Sequence, residues 1–531
     1  MTSHAYVAGM SRIKDELSRY SHRSVYVCTL NHLIHRGEVS SKRALMMPWV
    51  VLFLLKVSLL GESGPDEIDA RKYNRIANDI WLLQGAAISL TGDDFELNIR
   101  AMLLGQLMYQ RDTTIGMREL CLQGSVFTRV DNYYDKLFYE FFGLSLDSYL
   151  KIAMFVVVRL ENQPEGIILK LPIAELIIFL CPGIPYTHIL AFIRLACCDI
   201  ESLAGYVKGY DLGDIYVSEY FQETPFKYVP FVLEGDCLVA FNYQFCITAL
   251  CGLAPAVLKK ECPAFKDEFG KDMERRVGGI IAPFSCDEIL DEEAISLIFK
   301  SVGVKSKVVD YLVREGDQIT LIECKAIEPT DLMKCTSDGA ILKKVLEQNY
   351  IKAIHQGQAV ANALSELAQF KGCEFRLLVV TYGDHYIFGG EYISKNIDMT
   401  LVDVISEKYG GVPIPMCRIS YLPLQDFSAL IHGLTDKELL LNEFLDAACD
   451  AQSDPQTRRM TLAHLVHEQL GSVAGSFAAG LGDEIDRKLK ALEALVMECP
   501  RYWNGKAEYY MGRHASLLRA LNPTYQDLRI K

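Results

Sequence analysis

Residues 308–326 read VVDYLVREGDQITLIECKA, and this stretch decides how the fold is interpreted. Two apolar runs flank the polar turn Arg314–Asp317, which predicts a β-hairpin that returns the strand of Asp310 beside the second strand. Side chains alternate along a strand, so Glu323 and Lys325 should share one face. We therefore expect two carboxylates and one ammonium group to converge in an apolar hairpin, where charges are costly unless they are paired or hold a metal.

An Asp, a Glu and a Lys at one point of a hairpin suit the metal-assisted hydrolysis of a phosphodiester bond. Carboxylate oxygens are hard ligands for Mg²⁺, and a nearby cation can assist the attacking water or the developing negative charge. The alternative is an edge hairpin with a solvated polar face, on which Glu323 and Lys325 form an ordinary surface pair. Apolar residues directly before Glu323 and directly after Lys325 favour the buried site over the surface pair.

This constellation resembles the PD-(D/E)xK nuclease superfamily, which has the restriction-endonuclease-like fold. The matching residues are Asp310, Glu323 and Lys325, while Val309 stands where the family usually has a proline. The resemblance implies a Mg²⁺ cofactor, with Mn²⁺ as a substitute, held by Asp310, Glu323 and the backbone carbonyl of Cys324. It also implies that Lys325 orients or deprotonates the attacking water and stabilises the transition state.

The segment before the hairpin extends the resemblance. Residues 265–281 have a helical pattern, and families of this fold usually begin with a helix whose glutamate faces the site. Glu274 is the candidate for that glutamate, and Glu268 is the weaker one. The alternative for Glu274 is a surface pair with Lys271 or Arg275.

The segments after the hairpin also match. Residues 342–364 have a long helical pattern, and related nucleases often place a glutamine on this helix, which makes Gln356 the candidate. Residues 375–381 are predicted to form a strand, and residues 417–427 a strand followed by a proline-marked helix start. The resulting order of helix, hairpin, helix, strand, strand and helix fits the nuclease core over residues 262–435.

The length of 531 residues predicts two to four domains. We expect a mainly α-helical region for sensing, regulation or assembly at residues 1–260, a nuclease-like domain at 261–435 and a helical C-terminal region at 436–531. The central domain should be of the α+β or α/β class, with a restriction-endonuclease-like mixed sheet flanked by helices.

Charge and composition limit the function classes. The net charge of −14 provides no overall basic surface, so contact with nucleic acid needs a local patch, a protein partner or a metal that bridges to phosphate. No P-loop motif is present, so the chain does not supply a P-loop ATPase of its own.

The 16 cysteines contain no Cys-x-x-Cys pair and the first residues lack a signal-peptide pattern, which predicts free thiols and a cytoplasmic location. The apolar stretches 44–60 and 167–198 are interrupted by proline and charge, so no membrane span is expected.

The favoured function at this stage is a Mg²⁺-dependent nuclease acting on DNA. A large helical region joined to such a core resembles, in its architecture, prokaryotic anti-phage defence effectors in which a sensor region restrains a nuclease. The first alternative is a catalytically inactive nuclease fold that serves as a scaffold for a protein partner. The second is a nuclease directed at RNA, because a 2′-hydroxyl contact leaves no signature in residue spacing. The active species could be assembled with a protein partner or as a homo-oligomer.

Overall fold

The structure is a computed structural model of the chain. It describes residues 2–34, 47–88, 95–109, 113–127, 129, 131–164, 166–454, 456–470 and 479–506, and structural statements concern these residues. The chain divides into two compact units: unit 1 comprises Met1–Ser89, Met102–Pro263 and Glu484–Lys531, and unit 2 comprises Leu90–Ala101 and Ala264–Asp483. Helices and two small sheets make the protein mixed α/β.

Unit 1 is mainly helical. Its α-helices are Thr2–Leu17, His22–Leu33, Pro48–Leu60, Ala70–Leu82, Gln84–Ala87, Thr113–Val126, Tyr133–Phe142, Leu146–Glu161, Ile173–Leu180, Tyr186–Ala196, Leu203–Lys208 and Tyr243–Glu261. Two further helices, Phe95–Leu107 and Ala479–Tyr502, contain points at which the chain passes from one unit to the other. Two short 3₁₀ segments, Val217–Phe221 and Pro225–Tyr228, follow the helix Leu203–Lys208.

A small sheet accompanies these helices. Its strands are β1 (Lys170–Pro172), β2 (Cys197–Asp199), β3 (Phe231–Glu234) and β4 (Cys237–Ala240), in the order β1-β4-β3-β2. Strands β2 and β3 are parallel, and the other pairs are antiparallel.

The apolar helices of unit 1 form its core. Residues 50–59 of the helix Pro48–Leu60 are all buried, as expected for a helix that is apolar on every side. Among the described residues, no single helix has the length and apolar character that crossing a membrane requires. Of the helices that the structure describes, only the pair Tyr133–Phe142 and Leu146–Glu161 reaches that length when taken together, and these two helices meet at a bend of 77°.

Unit 2 is built on a five-stranded mixed sheet in the order β5-β6-β7-β8-β9. The strands are β5 (Glu288–Asp291), β6 (Tyr311–Glu315), β7 (Gln318–Lys325), β8 (Glu374–Thr381) and β9 (Ile419–Pro423). Strands β5, β6 and β7 pair antiparallel, whereas β7, β8 and β9 pair parallel. All residues of β8 after Glu374 are buried, which is the pattern of a central parallel strand covered on both faces.

Helices surround this sheet. They are Phe265–Ile281, Glu292–Ser301, Asp331–Cys335, Gly339–Leu346, Lys352–Ser365, Gly390–Asn396, Leu401–Tyr409, Leu424–Lys437, Leu441–Ser453 and Leu462–Gln469. We call Phe265–Ile281 the Glu274 helix and Lys352–Ser365 the Gln356 helix. The Glu274 helix has the bounds that the sequence pattern predicts.

The hairpin is present, but its turn is shorter than predicted. Arg314 and Glu315 belong to β6, and Glu315 pairs with Gln318, so only Gly316 and Asp317 form the turn. Gly316 has a φ of +63°, a left-handed conformation that glycine adopts without a Cβ penalty. The predicted four-residue turn was therefore wrong by two residues, because the ladder continues into the polar part of the segment.

The predicted helix 342–364 is interrupted. A π-helical turn, Glu347–Ile351, separates Gly339–Leu346 from the Gln356 helix. Strand β5 and the helix Glu292–Ser301 that follows it were not predicted from the sequence. Short edge strands carry few apolar residues, so their period is hard to recognise.

Residues beyond 435 also pack on the sheet of unit 2. Glu315, which is buried at the end of β6, accepts hydrogen bonds from the backbone N–H groups of Leu441 and Asn442, both at 2.9 Å. A carboxylate at this position satisfies the free N–H groups at the start of the helix Leu441–Ser453 and complements its dipole. This contact joins the helix to the hairpin that carries the candidate site.

Candidate active site

The hairpin register brings Asp310 beside the second strand. Tyr311 pairs with Ile322, so Asp310, one residue earlier, lies at the level of Glu323. The Asp310 Oδ2 atom accepts a hydrogen bond from the backbone N–H of Cys324 at 2.5 Å. The carboxylate that precedes β6 is thus held at the polar end of β7.

Lys325 connects the strand to the Gln356 helix. Its ammonium group donates to Glu323 Oε1 and, at 3.2 Å, to Gln356 Oε1. The side chains of Glu323 and Lys325 are 4% and 16% exposed, so this is an interior pair and not a solvated one. The shared face that strand alternation predicts is therefore real.

Glu274 lies close enough to the hairpin for its carboxylate to interact with the charges of Asp310 and Lys325. The hydroxyl of Tyr311 donates to the Glu274 carbonyl at 2.9 Å. A Cβ at Gly278 would clash with that hydroxyl oxygen, so the glycine permits the close approach of helix and strand. Glu268, the weaker candidate, forms an exposed pair with Lys271 instead.

The electrostatics of the cluster follow from burial and crowding of carboxylates. Burial raises the pKa of Glu323 to about 7, and the charge of Asp310 adds to the increase while Lys325 opposes it. Burial likewise raises the pKa of Glu274 to about 7, with further increases from Asp310 and Glu292. The pKa of Asp310 is also raised, mainly by burial, although the N–H of Cys324 partly offsets this. Three carboxylates therefore face one ammonium, and the cluster favours either a proton or an added cation.

One neighbour of the cluster was not found from the sequence. Glu292, in the first turn of the helix Glu292–Ser301, raises the pKa values of Glu274 and Asp310. Asp291 caps this helix by accepting from the N–H of Ala294 at 2.9 Å, and such an Asp followed by acidic residues is a helix-start signal that could have located it.

Tyr350 lies in the π-helical turn directly before the Gln356 helix. Its ring stacks on Tyr421 with centroids 4.1 Å apart, and its side chain is fully buried. π-helical turns are frequent at functional sites because the extra residue changes the direction of later side chains. No simple sequence pattern announces such a turn.

The acidic side chains of the cluster offer oxygen ligands to a divalent metal. In the part of the chain that the structure describes, no group of three or more His, Cys, Asp or Glu is arranged to hold a metal ion. However, Glu323 Oε2 is buried and has no hydrogen-bond partner among the described residues. A buried oxygen without a partner costs about 1–3 kcal/mol, which a cation would offset.

The ligand types also fit. Mg²⁺ is usually held by one or two carboxylates together with water and substrate phosphates, so Asp310 and Glu323 are a sufficient protein contribution. Lys325 now contacts the other Glu323 oxygen and leaves Oε2 available. The backbone carbonyl of Cys324 stays a predicted third ligand. The thiol of Cys324 is buried, and burial raises its pKa well above the ordinary value.

Comparison with protein-family models, with curated proteins and with solved structures finds no significant match to this chain. Function is therefore inferred from the residues of the site.

Proposed function

We propose that this protein is a Mg²⁺-dependent nuclease of the PD-(D/E)xK type that hydrolyses phosphodiester bonds of DNA. The main support is the buried contact of Lys325 with both Glu323 and Gln356, beside Asp310, which directly precedes the neighbouring strand. A hairpin without a chemical role would not benefit from burying several charges at one point, because their desolvation is costly.

The fold of unit 2 supports the same proposal. In the restriction-endonuclease-like fold that we propose, the hairpin of β6 and β7 carries the site and the parallel strands β8 and β9 extend the sheet. The Glu274 helix precedes the hairpin and the Gln356 helix follows it, in the order that the resemblance implies.

In the proposed mechanism, Asp310 and Glu323 would hold the metal through their carboxylate oxygens. When bound, Mg²⁺ supplies Lewis-acid activation of the phosphate and lowers the pKa of a bound water. Lys325 orients the attacking water and stabilises the negative charge that develops on the phosphate, while the amide oxygen of Gln356 keeps the ammonium in place. Glu274, with a pKa of about 7, is suited to exchange a proton near neutral pH.

The cleavage assay should use the full chain with supercoiled plasmid, linear duplex DNA and RNA, each with Mg²⁺, Mn²⁺ or EDTA. We expect metal-dependent cleavage of DNA that is lost in Glu323→Ala and in Lys325→Ala. The matched control is the exposed pair Glu391 and Lys395, whose side chains are 41% and 68% exposed and whose Ala variants should retain full activity.

The alternatives make different predictions in the same assay. Cleavage of RNA alone would indicate the RNA-directed enzyme. Absence of metal-dependent cleavage of every substrate by the folded wild type, with its protein partners present, would favour a scaffold that binds a protein partner or a second copy of the chain. A defence role is tested separately, by comparing phage plaque formation on cells that express the wild type or Lys325→Ala.

A further inference from the structure

The π-helical turn Glu347–Ile351 stands directly before the helix that carries Gln356. Such a turn contains one residue more than an α-helical turn. Each residue of an α-helix rotates the chain by about 100°, so the place of the extra residue sets the direction of every later side chain. The turn therefore governs whether Gln356 Oε1 faces the Lys325 ammonium, which lies 3.2 Å away.

Tyr421, in β9, contacts this turn from outside the helix. Its hydroxyl donates to the backbone carbonyl of Tyr350 at 3.1 Å, and the two residues are 71 positions apart in the sequence. The regular hydrogen-bond ladder is interrupted in a π-helical turn, so a carbonyl there can accept from an outside donor. The two tyrosine rings also stack, with centroids 4.1 Å apart and planes inclined by 24°. We call these two contacts of Tyr421 with Tyr350 the Tyr421 clamp.

The Tyr421 clamp is connected to the strand that pairs with β7. The side chain of Tyr350 forms a hydrogen bond with Thr381, which is the residue of β8 that pairs with Lys325. Tyr350 and Tyr421 are 1% and 3% exposed, so bulk water has little access to the clamp. A hydrogen bond lost here would leave a buried carbonyl without its donor, which is costly.

A second anchor holds the Gln356 helix on the other side of Gln356. The buried Gln358 amide donates to the Ile414 carbonyl at 2.7 Å and accepts from the Ile414 N–H at 2.8 Å. Gln356 therefore lies between two fixed points, Tyr350 and Gln358. If the π-helical turn were released, its extra residue could move along the helix towards Gln358 and pass Gln356. Gln356 would then rotate by about 100° and leave the Lys325 ammonium.

We propose that Tyr421 is a positioning residue that fixes the π-helical turn and thereby keeps the Gln356 amide on the Lys325 ammonium. Tyr421 acts through Gln356 and does not itself touch the substrate. Its effect on cleavage rests on the proposed nuclease function, whereas its effect on the turn does not. Two experiments separate these effects.

The first experiment follows hydrogen exchange of the backbone amides of residues 346–358 in the full chain by mass spectrometry. Tyr421→Phe removes the hydroxyl and keeps the ring. Exchange in this segment should become about 10-fold faster, because loss of one buried hydrogen bond makes local opening more frequent. Exchange elsewhere in the chain should not change, which distinguishes local opening from unfolding. Tyr409→Phe is the matched control and should exchange as the wild type does, since the buried Tyr409 hydroxyl has no hydrogen-bond partner among the described residues.

The second experiment measures kcat and KM for plasmid cleavage with Mg²⁺ in wild type, Tyr421→Phe, Gln356→Ala and the double variant. Tyr421→Phe should lower kcat about 10-fold and change KM less than about 2-fold, because the orientation of Lys325 matters in the transition state and not for DNA binding. In the Gln356→Ala background the same substitution should change kcat by less than about 2-fold, since the two residues act in series. A general structural role of Tyr421 would lower kcat equally in both backgrounds.

Four results would overturn the proposal. They are unchanged exchange of residues 346–358 in Tyr421→Phe, faster exchange throughout the chain, an equal loss of kcat in both backgrounds, and a loss confined to KM. An inactive wild type would count against the nuclease, while faster local exchange in Tyr421→Phe would still support the clamp. An active wild type with unchanged exchange would support the nuclease and overturn the clamp.

Discussion

Replacing Glu323 by Gln should stabilise the metal-free protein at pH 8 while it abolishes cleavage. The carboxylate is buried with one oxygen unpartnered, and burial with the nearby charge of Asp310 raises its pKa from 4.5 to about 7. The folded state therefore binds more protons at this residue than the unfolded state between these two pH values. Stability consequently decreases as the pH rises from about 4.5 to about 7, and the full cost is present above pH 7.

The size of the stabilisation by Glu323→Gln follows from the raised pKa of Glu323. The rise of the Glu323 pKa from 4.5 to about 7 corresponds to roughly 3 kcal/mol, because a tenfold change in an acid dissociation constant is about 1.36 kcal/mol. Glutamine removes this cost but also deprives the Lys325 ammonium of its charged partner, so the net gain at pH 8 should be about 1–2 kcal/mol. For a unit of this size, the gain corresponds to roughly 2–8 °C in melting temperature. At pH 5 most of the gain should disappear, because the wild-type carboxyl is then largely protonated in the folded state.

The measurement is calorimetric unfolding of wild type and Glu323→Gln in EDTA at pH 5 and pH 8. Glu391→Gln, at an exposed ion pair, is the control and should give the same small change at both pH values. A lower melting temperature for Glu323→Gln at pH 8, or an equal shift at both pH values, would refute the assignment of Glu323 as a desolvated carboxylate. Addition of Mg²⁺ at pH 8 should raise the melting temperature of wild type more than that of the variant.

Three other substitutions test separate parts of unit 2. Lys325→Ala should abolish cleavage of plasmid DNA while calorimetric titration still detects Mg²⁺ binding, because the ammonium contacts Glu323 and is not itself a metal ligand. Glu315→Ala should lower the free energy of urea-induced unfolding by about 1–3 kcal/mol, because two backbone N–H groups at the start of a helix lose their acceptor. Gly278→Val should reduce kcat/KM for plasmid cleavage by roughly 10- to 100-fold, because the new side chain would displace Tyr311 and move Glu274 away from the cluster.

Each of these substitutions has a matched control in the chain. For Lys325→Ala the control is Lys395→Ala, which removes an exposed lysine and should leave cleavage intact. For Glu315→Ala it is Glu443→Ala, which removes an exposed acid near the start of the helix that Glu315 caps. For Gly278→Val it is Gly279→Ala, which adds a Cβ where no neighbouring atom outside the helix backbone lies within 4 Å. Loss of Mg²⁺ binding in Lys325→Ala would contradict the assigned roles. Equal stability of the Glu315 and Glu443 variants would contradict the cap, and equal activity of the Gly278 and Gly279 variants would contradict the positioning of the Glu274 helix.

The sequence by itself determined the local elements around the hairpin. The 3.6-residue period defined the Glu274 helix at both ends, and continuous apolar runs marked β8 and β9. Strand alternation placed Glu323 and Lys325 on one face, since the period of two is a property of any extended chain. Such features depend on neighbours in sequence, which is why they could be predicted without a structure.

Only the tertiary structure decided which distant groups meet. Lys325 and Gln356 form a hydrogen bond although they are 31 residues apart in the sequence. The π-helical turn that precedes the Gln356 helix has no sequence signature. The raised pKa of Glu274 comes from burial and from charges on other elements, including Glu292. The buried ion pair of Lys56 and Glu219 joins residues that are 163 positions apart in the sequence. Packing of helices and strands creates these contacts, and desolvation in the packed interior gives the residues their chemistry.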